Sequence, residues 1–354
     1  MLKKYLSGRT KRFQRAGLLI AALMVGALGT YLLLPGRAAT PYASINAGQG
    51  ALGNGALLKT DSSASNGKYV QLGNKTTGPN PALCGFAAGT PQVSKIMIIW
   101  EENHSLSDVS GGQYFDKMAG SCGSAVNYFA YSHPSLPNYM AIMSGVSFAS
   151  SPWDGDCLPA DSGCHTSTAS VFSQLGSNWK SYAESMPGNC SPNNSGEYAP
   201  KHNPAAYYTN IASACSSQDV PLGTASSGNL INDVKNNTLP ALTTVTPNLI
   251  NDMHDGSVQD ASNWLNTWIP LITATNDYQS GRLSIIVMGD EGDGGGNTSS
   301  QTFAFVLSAY THPGTQSSTS FNNYSVTRTI EDITGQPPLG QAASAHSMVS
   351  AFNL

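Results

Sequence analysis

Two short apolar runs of the 354-residue chain end in carboxylates. KIMIIW (95–100) leads straight into Glu101, Glu102, Asn103 and His104, and LSIIVM (283–288) leads into Gly289, Asp290, Glu291, Gly292, Asp293 and three glycines. Such β-branched runs read as strands covered on both faces. In an open α/β sheet the carboxyl ends of parallel strands share one rim, which is where ligands bind. Carboxylates gathered there without cations repel one another. A hard divalent metal held by carboxylate and amide oxygens is the simplest compensation. Either Glu102 or Asp290 alone is equally well explained as a loop cap; the pair is not.

A third segment, YSHPSLPNYMAIMSG (131–145), places Ser135 directly before an apolar helical run, with Pro137 inside its first turn. Ser135 is therefore expected at the N-cap. The same position is also an anion site, because free backbone N–H groups and the positive end of the helix dipole converge there. A serine there, beside a metal, can be deprotonated and attack phosphorus.

These segments need elements to carry them. TFAFVL (302–307) reads as a further strand, and helices are expected over 136–144, 168–175, 261–273 and 324–333. Strands alternating with helices indicate an α/β fold with a mainly parallel central sheet.

Charge and composition restrict the setting. Seven of the 17 Lys and Arg precede residue 38, leaving ten cations against 21 anions in the remainder, a balance of −11. That body lacks the clustered cations of a nucleic-acid binder or a basic membrane-surface module. With 40% apolar residues it can bury a sizeable core. Residues 17–34 form an uncharged apolar run behind six cations, long enough to cross a thin bilayer. Residues 1–37 thus read as a signal peptide or signal anchor, and residues 38–82, rich in Gly, Ser and Asn, as a flexible tether. The expected catalytic domain spans residues 83–354. All six cysteines fall in the exported part, so three disulfides are expected, in sequence order Cys84–Cys122, Cys157–Cys164 and Cys190–Cys215, from fifteen possible pairings.

Six ordered blocks carry a resemblance: EENHSL, SHPSLPNYMAIMSG, YAPKHNPAAYY, PNLINDMHDGSV, MGDEGDGGG and NNYSVTRTIEDITG. Together they resemble the phosphoesterase family that contains bacterial acid phosphatases and phosphatidylcholine-type phospholipases C, within the alkaline-phosphatase-like superfamily. The resemblance implies a three-layer α/β sandwich of the alkaline-phosphatase type. Carried over position by position, it implies Ser135 as nucleophile and Glu102, Asn103, Asp290 and Glu291 as ligands of a catalytic divalent metal that also holds the Ser135 oxygen. It places His202 and His254 in the phosphate pocket, with Lys201, Asn138, Asp252 and Asp255 beside them. Asn323 stands where many relatives carry a histidine, so one ion is favoured, with two as the alternative; Gly289 stands where they often carry Thr and an aromatic residue, which should alter the pocket wall.

The implied reaction is hydrolysis of a phosphate monoester through a phosphoserine. Charged His202 and His254 would favour phosphate at acid pH, which predicts an acid optimum. The partners are a small phosphorylated substrate or a phospholipid headgroup, with no nucleic acid and with membrane contact only through the N-terminal segment. A phospholipase C-like diesterase is the alternative. The end of the chain at residue 354, without further β-domains, leads us to expect the smaller phosphatase. No G-x-S-x-G motif supports a serine esterase. A surface binding protein without turnover would need no nucleophile. His104 and His133 read as bonding to backbone, and His165, His312 and His346 as surface residues. The Asn103-His104-Ser105 sequon follows a buried strand, which favours a chemical role for Asn103 over glycosylation.

Overall fold

The computed structural model of the chain describes residues 57–60, 68–71, 82–111, 113–293 and 300–354. It divides into two compact units, Met1–Gly78 and Pro79–Leu354. In the first, strands β1 (Leu57–Thr60) and β2 (Lys68–Gln71) pair antiparallel. They fall within the stretch expected to be a tether. The apolar segment 17–34 lies outside the described residues, among which no helix is long and apolar enough to cross a membrane.

The second unit is built on a nine-stranded sheet. Its strands are β3 (Lys95–Glu101), β4 (Gly123–Phe129), β5 (Trp179–Ala183), β6 (Asp219–Pro221), β7 (Leu242–Thr246), β8 (Leu283–Gly289), β9 (Gln301–Leu307), β10 (Thr315–Ser317) and β11 (Phe321–Asn322). The order is β10-β4-β9-β8-β3-β7-β5-β6, with β11 also on β4. The pairings β3 with β7 and β8, β5 with β6 and β7, and β4 with β10 and β11 are parallel. The predicted strand β9 is instead antiparallel to both β4 and β8, so "mainly parallel" describes the sheet correctly.

Alternation along β3 explains why its run is apolar throughout. Ile96, Ile98 and Trp100 enter one core, and Met97 and Ile99 the other. Helices Ser135–Ser144, Val171–Leu175 and Asn323–Thr334 pack in the first core; Gln113–Ser121, Asn229–Asn236 and Val258–Thr273 pack in the second. Helices on both faces of the sheet make three layers, as expected. All three disulfides form in the anticipated pairing.

The central strands place the chemistry. In the β3–β8 register Glu101 faces Gly289, and the Asp290 amide donates to the Glu101 carbonyl at 3.1 Å. On the other side of β3, the Glu102 amide donates to the carbonyl of Asp252 at 2.7 Å, in the loop after β7. Three adjacent parallel strands thus deliver their carboxylates to one rim, as the topology requires. Close packing restricts Gly289: a Cβ there would lie 2.2 Å from the Thr302 hydroxyl.

Candidate active site

Ser135 opens the helix Ser135–Ser144 as its first helical residue, one position inside the expected N-cap, which is Pro134. Proline offers no side-chain cap, and the serine hydroxyl is therefore directed elsewhere. Its Oγ donates to Glu102 Oε2 at 3.0 Å and lies 3.4 Å from Glu291 Oε1. Tyr139, one turn along the same helix, donates its hydroxyl to Glu102 Oε1. Asn103 has φ 40°, a left-handed conformation that asparagine tolerates well, and this turns its amide back over the site. The amide lies 3.1 Å from both Glu102 Oε2 and Glu291 Oε1. With its nitrogen inward it donates to both carboxylates; with its oxygen inward the group becomes an all-oxygen cradle for a hard cation.

His202 occupies the other side of Glu102. Its Nε2 is 3.3 Å from Glu102 Oε2 and its Nδ1 is 3.2 Å from Asp252 Oδ2, and all three side chains are buried. The ring stacks on Tyr139, with centroids 5.3 Å apart. Glu102, His202 and Asp252 offer ligand atoms within 4.8 Å of one another, a grouping in which a histidine expected to bind phosphate serves instead as a potential metal ligand. Asp252, a minor candidate from the sequence, is central to it.

Lys201 and His254 form the mouth. Lys201 Nζ lies 3.1 Å from Asp156 Oδ2 and 3.1 Å from His254 Nε2, and His254 Nδ1 is 2.7 Å from Asp255 Oδ1. Asn138 lies behind the nucleophile: its Nδ2 donates to the Ser132 carbonyl at 3.0 Å and sits 3.5 Å from Glu291 Oε2. Asn323 donates to Asn138 Oδ1 at 3.0 Å, so it acts as support rather than as a ligand. His104 bonds a backbone carbonyl as expected. His133 does not: its Nδ1 lies 2.7 Å from Glu291 Oε2, because Glu291 leaves β8 beneath the loop that leads to Ser135.

Burial controls the electrostatics. It pushes Glu102 and Glu101 well up, the first further raised by Asp290 and Asp252. Burial also pushes Asp252 and Asp290 up to about 7, and Glu291 up to about 9. Lys201 loses charge stability through burial, but Asp156 and Glu102 outweigh that and hold it above its ordinary value. His202 moves the other way. Burial, reinforced by Lys201 and His254, holds it well below the ordinary histidine value. The flanking carboxylates do not reverse this, since they are themselves driven toward their neutral forms. This shift disfavours the charged imidazole that the acid-optimum expectation invoked.

Buried polar atoms without a hydrogen bond include Asp290 Oδ2, and also Asp252 Oδ2 and His202 Nε2, whose approaches at 3.2 and 3.3 Å lack hydrogen-bond geometry. Buried groups of this kind are costly unless something binds them. A divalent cation satisfies this donor set, whose oxygens and neutral imidazole nitrogen are common ligand types for such ions.

Residues 114–337 match the Phosphoesterase family. The chain belongs to the phosphoesterase family. It is accordingly a hydrolase of phosphoric ester bonds. This phosphoesterase is 28% identical over 272 residues to the phosphatidylinositol-3-phosphatase of Mycobacterium tuberculosis, covering 76% of this chain and 86% of that protein. It is 28% identical over 254 residues to the phosphate-repressible acid phosphatase of Penicillium chrysogenum, covering 69% of this chain and 59% of that protein. A solved protein of the alkaline phosphatase superfamily from Vibrio parahaemolyticus overlays with TM-score 0.48 and 11% identity, covering 77% of this chain and 76% of its own.

Every site residue singled out in the sequence lies on this rim or directly against it. Two further residues of the candidate site had escaped the sequence reading. Tyr139 carried a usable signal, its spacing of four from Ser135 on one helix. Asp156 carried none, since it comes from a loop between Pro152 and the Cys157–Cys164 disulfide.

Proposed function

We propose that this phosphoesterase is an exported, metal-dependent phosphomonoesterase that works through a phosphoserine on Ser135. The observation that carries the reading is the nucleophile's setting. A buried serine hydroxyl, in the first turn of a helix, faces two buried carboxylates and a third with an unpartnered oxygen. Glu102, Asn103, Asp290 and Glu291 would hold the divalent metal beside Ser135, and the Glu102, His202, Asp252 group could hold a second. The metal would supply Lewis-acid stabilisation of phosphate oxygens and a lower pKa for the serine hydroxyl.

The chain's own groups do the remainder. Once a bound cation keeps it ionised, Glu102 Oε2, 3.0 Å away, would be placed to accept the Ser135 proton as Oγ bonds to phosphorus and the ester oxygen departs. Lys201 offers a cation to the phosphate oxygens. His254, whose Nε2 accepts from Lys201 at 3.1 Å, holds that ammonium toward the phosphate pocket. Water then cleaves the phosphoserine, releasing phosphate and restoring the serine. The names of the relatives, a phosphoinositide 3-phosphatase and an acid phosphatase, support monoester substrates. Three disulfides and the apolar segment behind six cations support export.

The test is turnover of p-nitrophenyl phosphate with and without EDTA, beside p-nitrophenylphosphorylcholine. The expected result is monoester turnover abolished by chelation and restored by a divalent metal. Ser135→Ala should lower kcat by about three orders of magnitude or more while the fold persists. An undiminished rate in that variant would sink the mechanism; preference for the choline diester would favour the phospholipase C alternative.

A further inference from the structure

Asp156 does two things that the reaction so far does not use. Its Oδ1 accepts the backbone N–H of Leu136 at 2.9 Å, and its Oδ2 accepts Lys201 at 3.1 Å. Leu136 follows the nucleophile, so this is one of the first-turn N–H groups of the serine's helix that have no intrahelical partner and, left uncapped, favour an anion. Pro134 cannot cap that turn, and the carboxylate caps it from a distant loop. A phosphoryl group on Ser135 must therefore come within a few ångströms of Asp156. The Asp156 side chain is 19% exposed, and a carboxylate has about four acceptor sites, of which two are taken.

The charges around Asp156 are not balanced. Lys201 and His202 approach from one short turn, His254 and Asp255 from the loop after β7, Glu291 from the end of β8, and Tyr207 from below. Lys201 is the fixed cation of this set, and a bound phosphate must share it with Asp156. A phosphate dianion arriving here meets a side chain whose two oxygens already act as acceptors, so neither partner brings a donor to the other. A monoester monoanion brings one, its P–OH, which can donate to Asp156.

We propose that Asp156 is a specificity-determining residue: its carboxylate accepts the P–OH of a monoanionic phosphomonoester, selecting that form over the dianion and over diesters, which have no P–OH. The inference rests on the phosphomonoesterase reading above. It gives the expected acid optimum a source in the substrate's own second ionisation, near 6.

The experiment compares wild type, Asp156→Asn and Asp156→Ser, the last two neutral while keeping an acceptor for the Leu136 N–H. For p-nitrophenyl phosphate, wild-type kcat/KM should fall about 25-fold from pH 5.5 to 7.5 as the monoanion disappears, and less than about threefold in both variants. For bis(p-nitrophenyl) phosphate the wild-type profile should lack this limb, and kcat/KM should rise about three- to tenfold in the variants. An independent readout is thermal stabilisation by inorganic phosphate. Wild type should be stabilised more at the acid pH than at neutral pH, and the variants about equally. Variants that keep the wild-type acid limb, or wild-type phosphate stabilisation indifferent to pH, overturn the role of Asp156. Absence of turnover in wild type overturns the phosphomonoesterase reading instead, and the phosphate-binding comparison still tests Asp156.

Discussion

Ser135 and Glu102 owe their geometry to a residue that performs no chemistry. Tyr139 is fully buried, donates to Glu102 Oε1 and leaves Oε2 free to face Ser135. Tyr139→Phe preserves the ring stacked on His202 but removes this donor. The expected consequence is a loss of about 10–100-fold in metal affinity or kcat, typical of removing a group that orients a ligand. The check is the activity of chelated protein titrated with metal. An unchanged metal midpoint and kcat would show that Glu102 is oriented by other means. At this scale the sequence was informative wherever a residue followed a recognisable strand or headed a helix: Glu102, Asn103, Asp290, Glu291 and Ser135 are all of this kind. It failed where partners arrive from remote loops. Asp156 follows no strand, and His133 reaches Glu291 across a sequence separation of 158.

Strands and helices behave similarly. The runs 95–100 and 283–288 were legible because burial on both faces writes an unbroken apolar code. β5 and β7 were not, since WKSYA and LTTVT mix polar residues into buried strands. β6 explains one such choice. Its first residue, Asp219, is fully buried, accepts from Asn203 at 2.8 Å and leaves its other oxygen unpartnered. Burial pushes its carboxyl up to about 7, against hydrogen bonds from Asn203 and Ser181. The native state therefore keeps a proton that the unfolded chain releases near 4. Stability is fullest below the unfolded value and is lost as pH rises through about 7, by on the order of 4 kcal/mol. Asp219→Asn should remove this share of the slope. In metal-loaded protein, Tm should decline less between pH 5 and 8 in the variant than in wild type. An identical decline would mean that Asp219 is already ionised in the fold. The helix Ser135–Ser144 ends on Gly145 at φ 68°, where a Cβ would meet the Leu339 carbonyl at 2.3 Å. Gly145→Ala should cost more than about 1 kcal/mol, measured by urea unfolding, because strain and collision coincide.

Across the catalytic unit, the low charge density of the sequence takes on a specific meaning. Four of its few carboxylates, Glu102, Asp252, Asp290 and Glu291, are buried together, and two of the three disulfides flank the loops that meet them. Cys157–Cys164 follows Asp156, and Cys190–Cys215 encloses Lys201 and His202. Cross-links on those loops restrict the unfolded chain and keep cations and carboxylates on one rim. The cluster stays compact only if protons or a metal neutralise it. Burial pushes Asp252 and Asp290 up to about 7 and Glu291 up to about 9, all above the values of about 4 in the unfolded chain. Without metal, the native state binds more protons than the unfolded state over this whole window. Its stability is therefore greatest at acid pH and falls as pH rises from about 4 through 7 toward 9. A divalent cation takes the place of those protons, so its affinity should increase roughly tenfold per pH unit for each proton displaced. Thermal unfolding of chelated protein between about pH 5 and 9 should show a progressive fall in Tm that added metal largely reverses, most strongly at the alkaline end. A chelated protein whose Tm is flat or rises over that range, or a metal midpoint indifferent to pH, would mean that the four carboxylates are neutralised within the fold and that the rim is not a metal site.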